Sequence, residues 1–110
     1  MLVQSFIRWS ETAKASERAQ AANALARAYS NGQMKEDERR AAEAAMAMLA
    51  EDASPKVRIS LADGLASLAH APRSLMLSLA NDQIEVAARV IALSPELSDS
   101  DLVDIVASGR

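Results

Sequence analysis

The sequence predicts an all-α protein built from a row of antiparallel helix pairs, and three observations support this prediction. Alanine accounts for 24 of the 110 residues, whereas the chain has only three glycines and three prolines. Apolar residues recur at spacings of three and four, which is the spacing of one helix face. Signals that end one helix and start the next follow one another at short intervals. We therefore expect about seven helices in a right-handed α-α superhelix.

Two helices are expected before residue 31. The first is short, and it carries Phe6, Ile7 and Trp9. The second extends from about Ser16 to Ser30, and its apolar face comprises Ala22, Leu25, Ala26 and Tyr29. It ends at Asn31-Gly32, because glycine tolerates the left-handed conformation that follows many helices. Trp9 is expected in the core rather than at a contact with a partner.

The middle of the chain holds two clear helix signals. A helix is expected from about Lys35 to Glu51, with an acidic first turn that suits the positive end of the helix dipole. Its apolar face comprises Ala41, Ala45, Met48 and Leu49. Ser54 and Pro55 then start the next helix, since serine caps helix N-termini and proline fits the first helical position. Its buried face comprises Val57, Leu61, Leu65 and Leu68. Gly64 on that face indicates a close neighbouring helix.

Three further helices are expected in the last 40 residues. The first begins at Ala71-Pro72, and its inward side chains are Leu75, Leu79 and Ala80. The second follows Asn81-Asp82, ends at Ser94-Pro95 and turns inward Val86, Val90 and Leu93. The last carries Leu102, Ile105 and Val106. Ser98 and Asp101 precede it with the spacing of a capping box.

Two of these segments repeat each other at an interval of about 30 residues. Leu49-Ala-Glu-Asp52 recurs as Leu79-Ala-Asn-Asp82. After these two runs the matched pairs are Val57 with Val86, Leu61 with Val90, and Ala62 with Ile91. Each unit is a helix, a turn that contains aspartate, and a second helix. Such a unit buries its apolar face only by stacking on a neighbour.

The run from Asp52 to Arg58 resembles the turn and second-helix start of a HEAT repeat. A closer resemblance covers about residues 41–110, and it rests on Leu49 to Asp52, Val57-Arg58, Leu61-Ala62, Ala71-Pro72-Arg73, Leu79 to Asp82, Val86-Ala87, Ser94-Pro95, Leu97 and Asp101-Leu102. Over this stretch the chain is similar to an uncharacterised bacterial family, a domain of unknown function with HEAT-like repeats that is known chiefly from alphaproteobacteria.

This resemblance implies a scaffold, because no reaction is assigned to the family. Its members are usually several times longer, so residues 1–110 are expected to be one HEAT-like domain in the N-terminal part of a longer protein. In HEAT repeats the turn aspartate and an arginine of the second helix commonly form hydrogen bonds along the stack. Ala87 stands where Arg58 stands in the first unit, and an Asp–Arg ladder is therefore expected to have only one rung.

Composition argues against several classes of function. The chain has no cysteine, which excludes disulfides and thiolate zinc sites. His70 is the only histidine, and no motif combines it with Ser74 or Asp63 into a nucleophile triad. The aspartates between residues 99 and 104 lack the glycine and glutamate of a calcium loop. We therefore expect neither an enzyme nor a cofactor nor a metal.

Charge and hydropathy bear on location and partners. The sequence shows neither a secretory signal nor an apolar run that could span a membrane, so a cytoplasmic, non-membrane protein is expected. The formal net charge is −3, with a surplus of positive charge only in residues 1–40. The acidic remainder opposes binding to nucleic-acid phosphates. An unidentified protein partner is thus the main expectation.

In stacked helix pairs the second helices usually line the concave binding side. On this basis the candidate partner surface comprises Lys56, Ile59, Asp63, Glu85, Ala88 and Arg89. Ile59 is its informative member, because an exposed isoleucine indicates an apolar anchor. The expected turn and cap residues are Asp52, Ser54, Pro55, Arg58, Pro72, Asp82 and Ser98. Two alternatives remain: self-association through terminal helices that expose Leu102, Ile105 and Val106, and HEAT-like binding of nucleic acid.

Overall fold

Six α-helices form the part of the chain that the computed structural model describes, which is residues 2–66 and 71–91. The helices are α1 (Leu2–Thr12), α2 (Ala15–Ser30), α3 (Glu36–Ala50), α4 (Pro55–Leu65), α5 (Arg73–Ala80) and α6 (Ile84–Ile91). These ranges contain no β-strand. The all-α prediction is therefore confirmed, and the helix expected after Ser98 lies outside the described residues.

The start and stop signals of the sequence explain the observed bounds. Helix α2 ends at Ser30, and Gly32 follows it with a φ of 69°, which is the left-handed conformation that glycine tolerates. Pro55 is the first residue of α4. The backbone N–H of Lys35 donates to Oε1 of Glu38 at 2.9 Å, so a side chain in the first turn satisfies the start of α3.

The helices pack in two rows. We call α1, α3 and α5 the first helices and α2, α4 and α6 the second helices of three successive pairs. Among the second helices, α2 packs against α4 and α4 against α6; among the first helices, α1 packs against α3 and α3 against α5. Within the pairs, α3 contacts α4 and α5 contacts α6, whereas α1 makes few contacts with α2.

The interface between α2 and α4 is unusually close. A Cβ atom on Gly64 would lie 2.6 Å from the Cβ of Ala26, so only glycine fits between the two backbones. The amide nitrogen Nδ2 of Asn23 donates to the carbonyl oxygen of Ser60 at 3.2 Å. Asn23 precedes Ala26 on α2, and their respective neighbours Ser60 and Gly64 follow in the same order on α4. The two helices are therefore parallel. The packing role that the sequence predicts for Gly64 is confirmed.

The core agrees with most of the predicted apolar faces and departs from them at several residues, of which Ala41 on α3 is one, because it is only half-buried. Met48, expected on the buried face of α3, is 37 % exposed, and Met46 is completely buried instead. Leu25 is half-buried. Trp9 is 39 % exposed, and its ring contacts Phe6 at 5.7 Å between centroids. The expectation that Trp9 lies in the core is therefore wrong, because α1 packs on α3 without turning Trp9 inward.

None of the helices in the described ranges combines the length and apolar character needed to cross a lipid bilayer.

Candidate interaction surface

A two-bond ion pair joins the first helix pair to the second. Nε of Arg18, on α2, donates to Oδ2 of Asp52 at 2.8 Å, and Nη2 donates to Oδ1 at 3.1 Å. The third nitrogen, Nη1, donates to the carbonyl oxygen of Ala13 at 2.6 Å. The side chains of Arg18 and Asp52 are 19 % and 12 % exposed. One arginine thus connects the turn of its own pair to the turn of the next.

The same arrangement recurs between the second and third pairs. Nε of Arg58 donates to Oδ2 of Asp82 at 2.8 Å, and Nη2 donates to Oδ1 at 3.4 Å. Nη1 of Arg58 donates to the carbonyl oxygen of Asp52 at 2.5 Å, in the turn of its own pair. We call the Arg18–Asp52 and Arg58–Asp82 pairs the Asp–Arg ladder. Three successive helix pairs are thereby held in one register.

The ladder has one rung more than the sequence predicts. The sequence predicts one contact between an arginine of one pair and the turn aspartate of the next. The structure shows this contact between Arg58 and Asp82. The additional rung comes from Arg18, which the sequence reasoning missed. Arg18 lies four residues after the residue that precedes α2, as Arg58 does for α4. This shared spacing could have identified Arg18 as a ladder residue. The first pair was not recognised as a repeat, because Ala13 stands where the later pairs have the turn aspartate.

Both ends of the ladder lack the residue for a further rung. Ala13 occupies the turn position that Asp52 and Asp82 hold in the later pairs. Ala87 occupies the helix position that Arg58 holds in the pair before it. Among the described residues, neither position therefore leaves a buried charge without a partner in this row.

The carboxylate of Asp52 accepts a third hydrogen bond besides the two from Arg18. Its Oδ1 also accepts a hydrogen bond from the backbone N–H of Ser54 at 2.9 Å. Burial by itself would raise the pKa of Asp52, but the hydrogen bonds from Arg18 and Ser54 and the charges of Arg18 and Arg58 hold this pKa below its ordinary value. The carboxylate is therefore ionised at neutral pH.

The other predicted turn residues that the structure describes lie directly before or at the start of helices α4, α5 and α6. Ser54 precedes α4 as expected, but its hydroxyl makes no capping hydrogen bond; the carboxylate of Asp52 orders this turn instead. Pro72 directly precedes α5. Oδ1 of Asp82 accepts a hydrogen bond from the backbone N–H of Gln83 at 2.7 Å, just before α6. Ser98 lies outside the described residues.

Of the candidate partner surface, five members are exposed: Lys56, Asp63, Glu85, Ala88 and Arg89. The structure brings two of them together, since Nη1 of Arg89 donates to both carboxylate oxygens of Asp63 at 3.0 and 3.1 Å. The expectation that Ile59 is exposed is wrong. Ile59 is half-buried and packs against the core, because it lies on the side of α4 that the third pair covers.

A polar cluster fastens α2 to α3 on the other side of the first pair. The hydroxyl of Tyr29 donates to Oε2 of Glu43 at 2.5 Å and accepts from Nη2 of Arg39 at 3.4 Å. The guanidinium of Arg39 lies 5.6 Å from the centre of the tyrosine ring. Burial raises the pKa of Tyr29, and the nearby Glu43 carboxylate raises it further. Tyr29, Arg39 and Glu43 satisfy one another's polar groups, so we assign this cluster the structural role of joining α2 to α3.

A cavity and the acidic side chains are the two remaining features that bear on ligand or metal binding. An apolar cavity of about 540 Å³ opens between α1, α2 and α3, and its walls include Phe6, Leu25 and Met34. Within the described ranges, no group of three or more histidine, cysteine or acidic side chains is placed to hold a metal ion. Asp63 pairs with Arg89, Ser74 is exposed on α5, and His70 lies outside the described residues.

Comparisons of the chain with models of protein families, with curated proteins and with solved structures found no significant match.

Proposed function

We propose that this chain is a non-enzymatic scaffold that binds another protein on the exposed face of its second helices. We call this face the outer face, and it carries Lys56, Asp63, Glu85 and Arg89. In this proposal the two rows continue as a HEAT-like α-α superhelix, and the chain belongs to the alphaproteobacterial family that its sequence resembles. The Asp–Arg ladder is the observation that supports it most strongly. A surface made of three separate helices binds well only if those helices keep fixed positions, since ordering them on binding would cost affinity.

The chemistry of the outer face supports a protein partner over nucleic acid. Lys56 and Arg89 are balanced there by Asp63 and Glu85, so the face has no basic stripe for a phosphate backbone. An enzymatic role has little support, because the sequence offers one histidine and no cysteine for acid–base or nucleophilic chemistry. The bacterial cytoplasm is the compartment that we propose.

Site-specific photocrosslinking tests the proposal. A photoreactive amino acid replaces Lys56 on the outer face in one variant and Arg40, which is exposed on α3, in a matched control. Each full chain is expressed in cells of its own species and irradiated. We expect a defined adduct with one protein from position 56 and none from position 40.

A charge-swapped variant then measures the interaction. Lys56→Glu combined with Glu85→Lys keeps the net charge, and both side chains are exposed, so the fold should be retained. We expect at least about tenfold weaker binding of the crosslinked protein, with an unchanged circular dichroism spectrum. Equal adduct yields from positions 56 and 40, or unchanged binding by the swapped variant, would contradict the proposal.

A further inference from the structure

The cavity between α1, α2 and α3 has the size and the walls of a small-molecule site. Its volume of about 540 Å³ lies within the roughly 300–1,000 Å³ of ligand pockets. Its large apolar wall residues are Phe6, Leu25 and Met34, and the remaining apolar ones are alanines: Ala21, Ala24, Ala41, Ala42 and Ala45. Glu38 completes the wall that the structure describes. We call this space the α1–α3 cavity.

These walls favour an apolar occupant over ordered water. Alanines line the cavity from both α2 and α3, and their methyl groups offer no hydrogen bond. Helix α1 packs on α3 but makes few contacts with α2, so the space between α1 and α2 stays open. A held water molecule needs about two to four polar partners, and among the described wall residues only Glu38 has a polar side chain. An apolar body, in contrast, gains contacts along the whole wall.

Glu38 gives the α1–α3 cavity one negative charge. The side chain is exposed, so the carboxylate lies at the opening. Its Oε1 accepts a hydrogen bond from the backbone N–H of Lys35 at 2.9 Å. The two arginines that follow Glu38 both donate to other side chains. Glu38 forms no ion pair with any of the described residues, and its Oε2 is available to a ligand.

Glu17 shows the same local arrangement away from the cavity. It has the matching position at the start of α2, where its Oε1 accepts a hydrogen bond from the backbone N–H of Lys14 at 2.8 Å. Glu17 is exposed, and it is not part of the cavity wall. The capping of a helix start thus explains the Oε1 bond of both glutamates. Of the two, Glu38 alone carries its charge beside an apolar cavity.

We propose that the α1–α3 cavity binds a small molecule with an apolar body and one amine. The apolar body packs against the aromatic and aliphatic wall, and burial of its CH₂ groups supplies most of the affinity. The ammonium group donates a charge-assisted hydrogen bond to Oε2 of Glu38. An anionic head group at the same place would meet the carboxylate with like charge. The cavity therefore selects amines over fatty acids of the same length.

Three probes with the same alkyl chain test the class of ligand. Octylamine is a cation at neutral pH, 1-octanol is neutral, and octanoate is an anion. Each probe is titrated into the full chain and followed by isothermal titration calorimetry. We expect octylamine to bind with a Kd below about 1 mM. The Kd of 1-octanol should be about threefold higher, and octanoate should bind more weakly than 1-octanol.

A matched pair of variants tests the role of the carboxylate. Glu38→Gln removes the charge and keeps a side chain of similar shape. It should weaken the binding of octylamine about threefold and leave the binding of 1-octanol unchanged, so that the preference for the amine disappears. Glu17→Gln is the control, because it removes the same capping carboxylate from α2. It should bind both probes as the wild-type chain does.

A second pair of variants tests the place of binding. Ala24 and Ala28 are both exposed on α2, one turn apart, but of these two only Ala24 lines the cavity. A phenyl group at position 24 would take up space that the ligand needs. Ala24→Phe should therefore weaken octylamine binding at least about tenfold, which corresponds to the lost burial of about two CH₂ groups. Ala28→Phe should bind as the wild-type chain does, and both variants should keep its circular dichroism spectrum.

Four results would overturn the inference. They are no binding of octylamine by the wild-type chain, octanoate bound as tightly as octylamine, equal effects of Glu38→Gln and Glu17→Gln, and equal effects of Ala24→Phe and Ala28→Phe. The inference does not depend on the proposed scaffold function, because no residue of the outer face lines the cavity. Loss of the crosslinked adduct at position 56 with intact octylamine binding contradicts the scaffold function alone. A retained adduct in a chain that binds no octylamine contradicts the amine site alone.

Discussion

The guanidinium of Arg18 and the carboxylate of Asp52 are 34 residues apart in the chain and form two hydrogen bonds, at 2.8 and 3.1 Å. Arg58 and Asp82 repeat this relationship one helix pair later. Each arginine also binds a carbonyl oxygen in the turn of its own pair. The ladder therefore fixes both the geometry of each turn and the distance between neighbouring turns.

Loss of a ladder arginine should destabilise the fold. In Arg58→Ala the carboxylate of Asp82 stays largely buried without its counterion. Both side chains of this pair keep 15–17 % exposure, so we expect the free energy of unfolding to fall by about 2 kcal/mol, less than the roughly 3–5 kcal/mol of fully buried pairs. Urea denaturation measures it. Arg40→Ala is the control, since the Arg40–Glu36 pair is more than 70 % exposed and should cost under about 0.5 kcal/mol. Equal losses in the two variants would contradict the role of the ladder.

The ladder should also make stability depend on acid. The pKa of Asp52 lies below its ordinary value of 3.8 in the folded chain. A carboxylate of this kind contributes stability above the unfolded pKa and loses that contribution as the pH falls through the folded pKa. We therefore expect Asp52→Asn to be less stable than the wild-type chain at pH 7 and the difference to shrink below about pH 4. Thermal unfolding from neutral to acidic pH measures it; a difference that stays constant with pH would refute the assignment.

The close α2–α4 contact predicts an unusual effect of alanine. In an exposed helix Gly→Ala gains about 1 kcal/mol, but a Cβ at position 64 would lie 2.6 Å from that of Ala26. We expect Gly64→Ala to lower the free energy of unfolding by about 1–3 kcal/mol, as overpacking does. Adding Ala26→Gly should recover part of the loss, because it removes the clashing methyl group. Stabilisation by Gly64→Ala alone would show that the helices are further apart.

Trp9 offers a spectroscopic check of α1, because it is the only tryptophan. With 39 % of its surface exposed, its fluorescence should be accessible to iodide quenching in the folded chain. Trp9→Ser should cost under about 1 kcal/mol, whereas Met46→Ala, which truncates a fully buried side chain, should cost about 2–4 kcal/mol. Strong protection of Trp9 from iodide would place it in the core.

Helix bounds were the most predictable part of this fold, because local residues determine them. The expected start at Pro55 and the expected end at Ser30 match α4 and α2. Burial was less predictable. Met46 and Met48 lie on different sides of α3, and spacing alone does not say on which side the neighbouring helices pack.

The candidate surface was predictable only in part, for a related reason. Five of its six members are exposed, but Ile59 lies at the edge where α4 meets the third pair. Among the described residues the exposed isoleucine is Ile84 instead. It was missed because its counterpart in the first unit is Pro55, a residue that indicated a helix start rather than a surface. Arg18 was missed because its acceptor lies 34 residues away, and no local pattern shows a contact at that distance.

The link between the first and second helix pairs has a practical consequence for engineering. The ladder ties the turns within the pairs, whereas the link from Asn31 to Lys35 carries no ladder residue and is exposed except for the half-buried Met34. Gly32 has open space around the position of a Cβ atom. An affinity epitope or a fluorescent reporter inserted directly after Gly32 should therefore leave the folded chain intact.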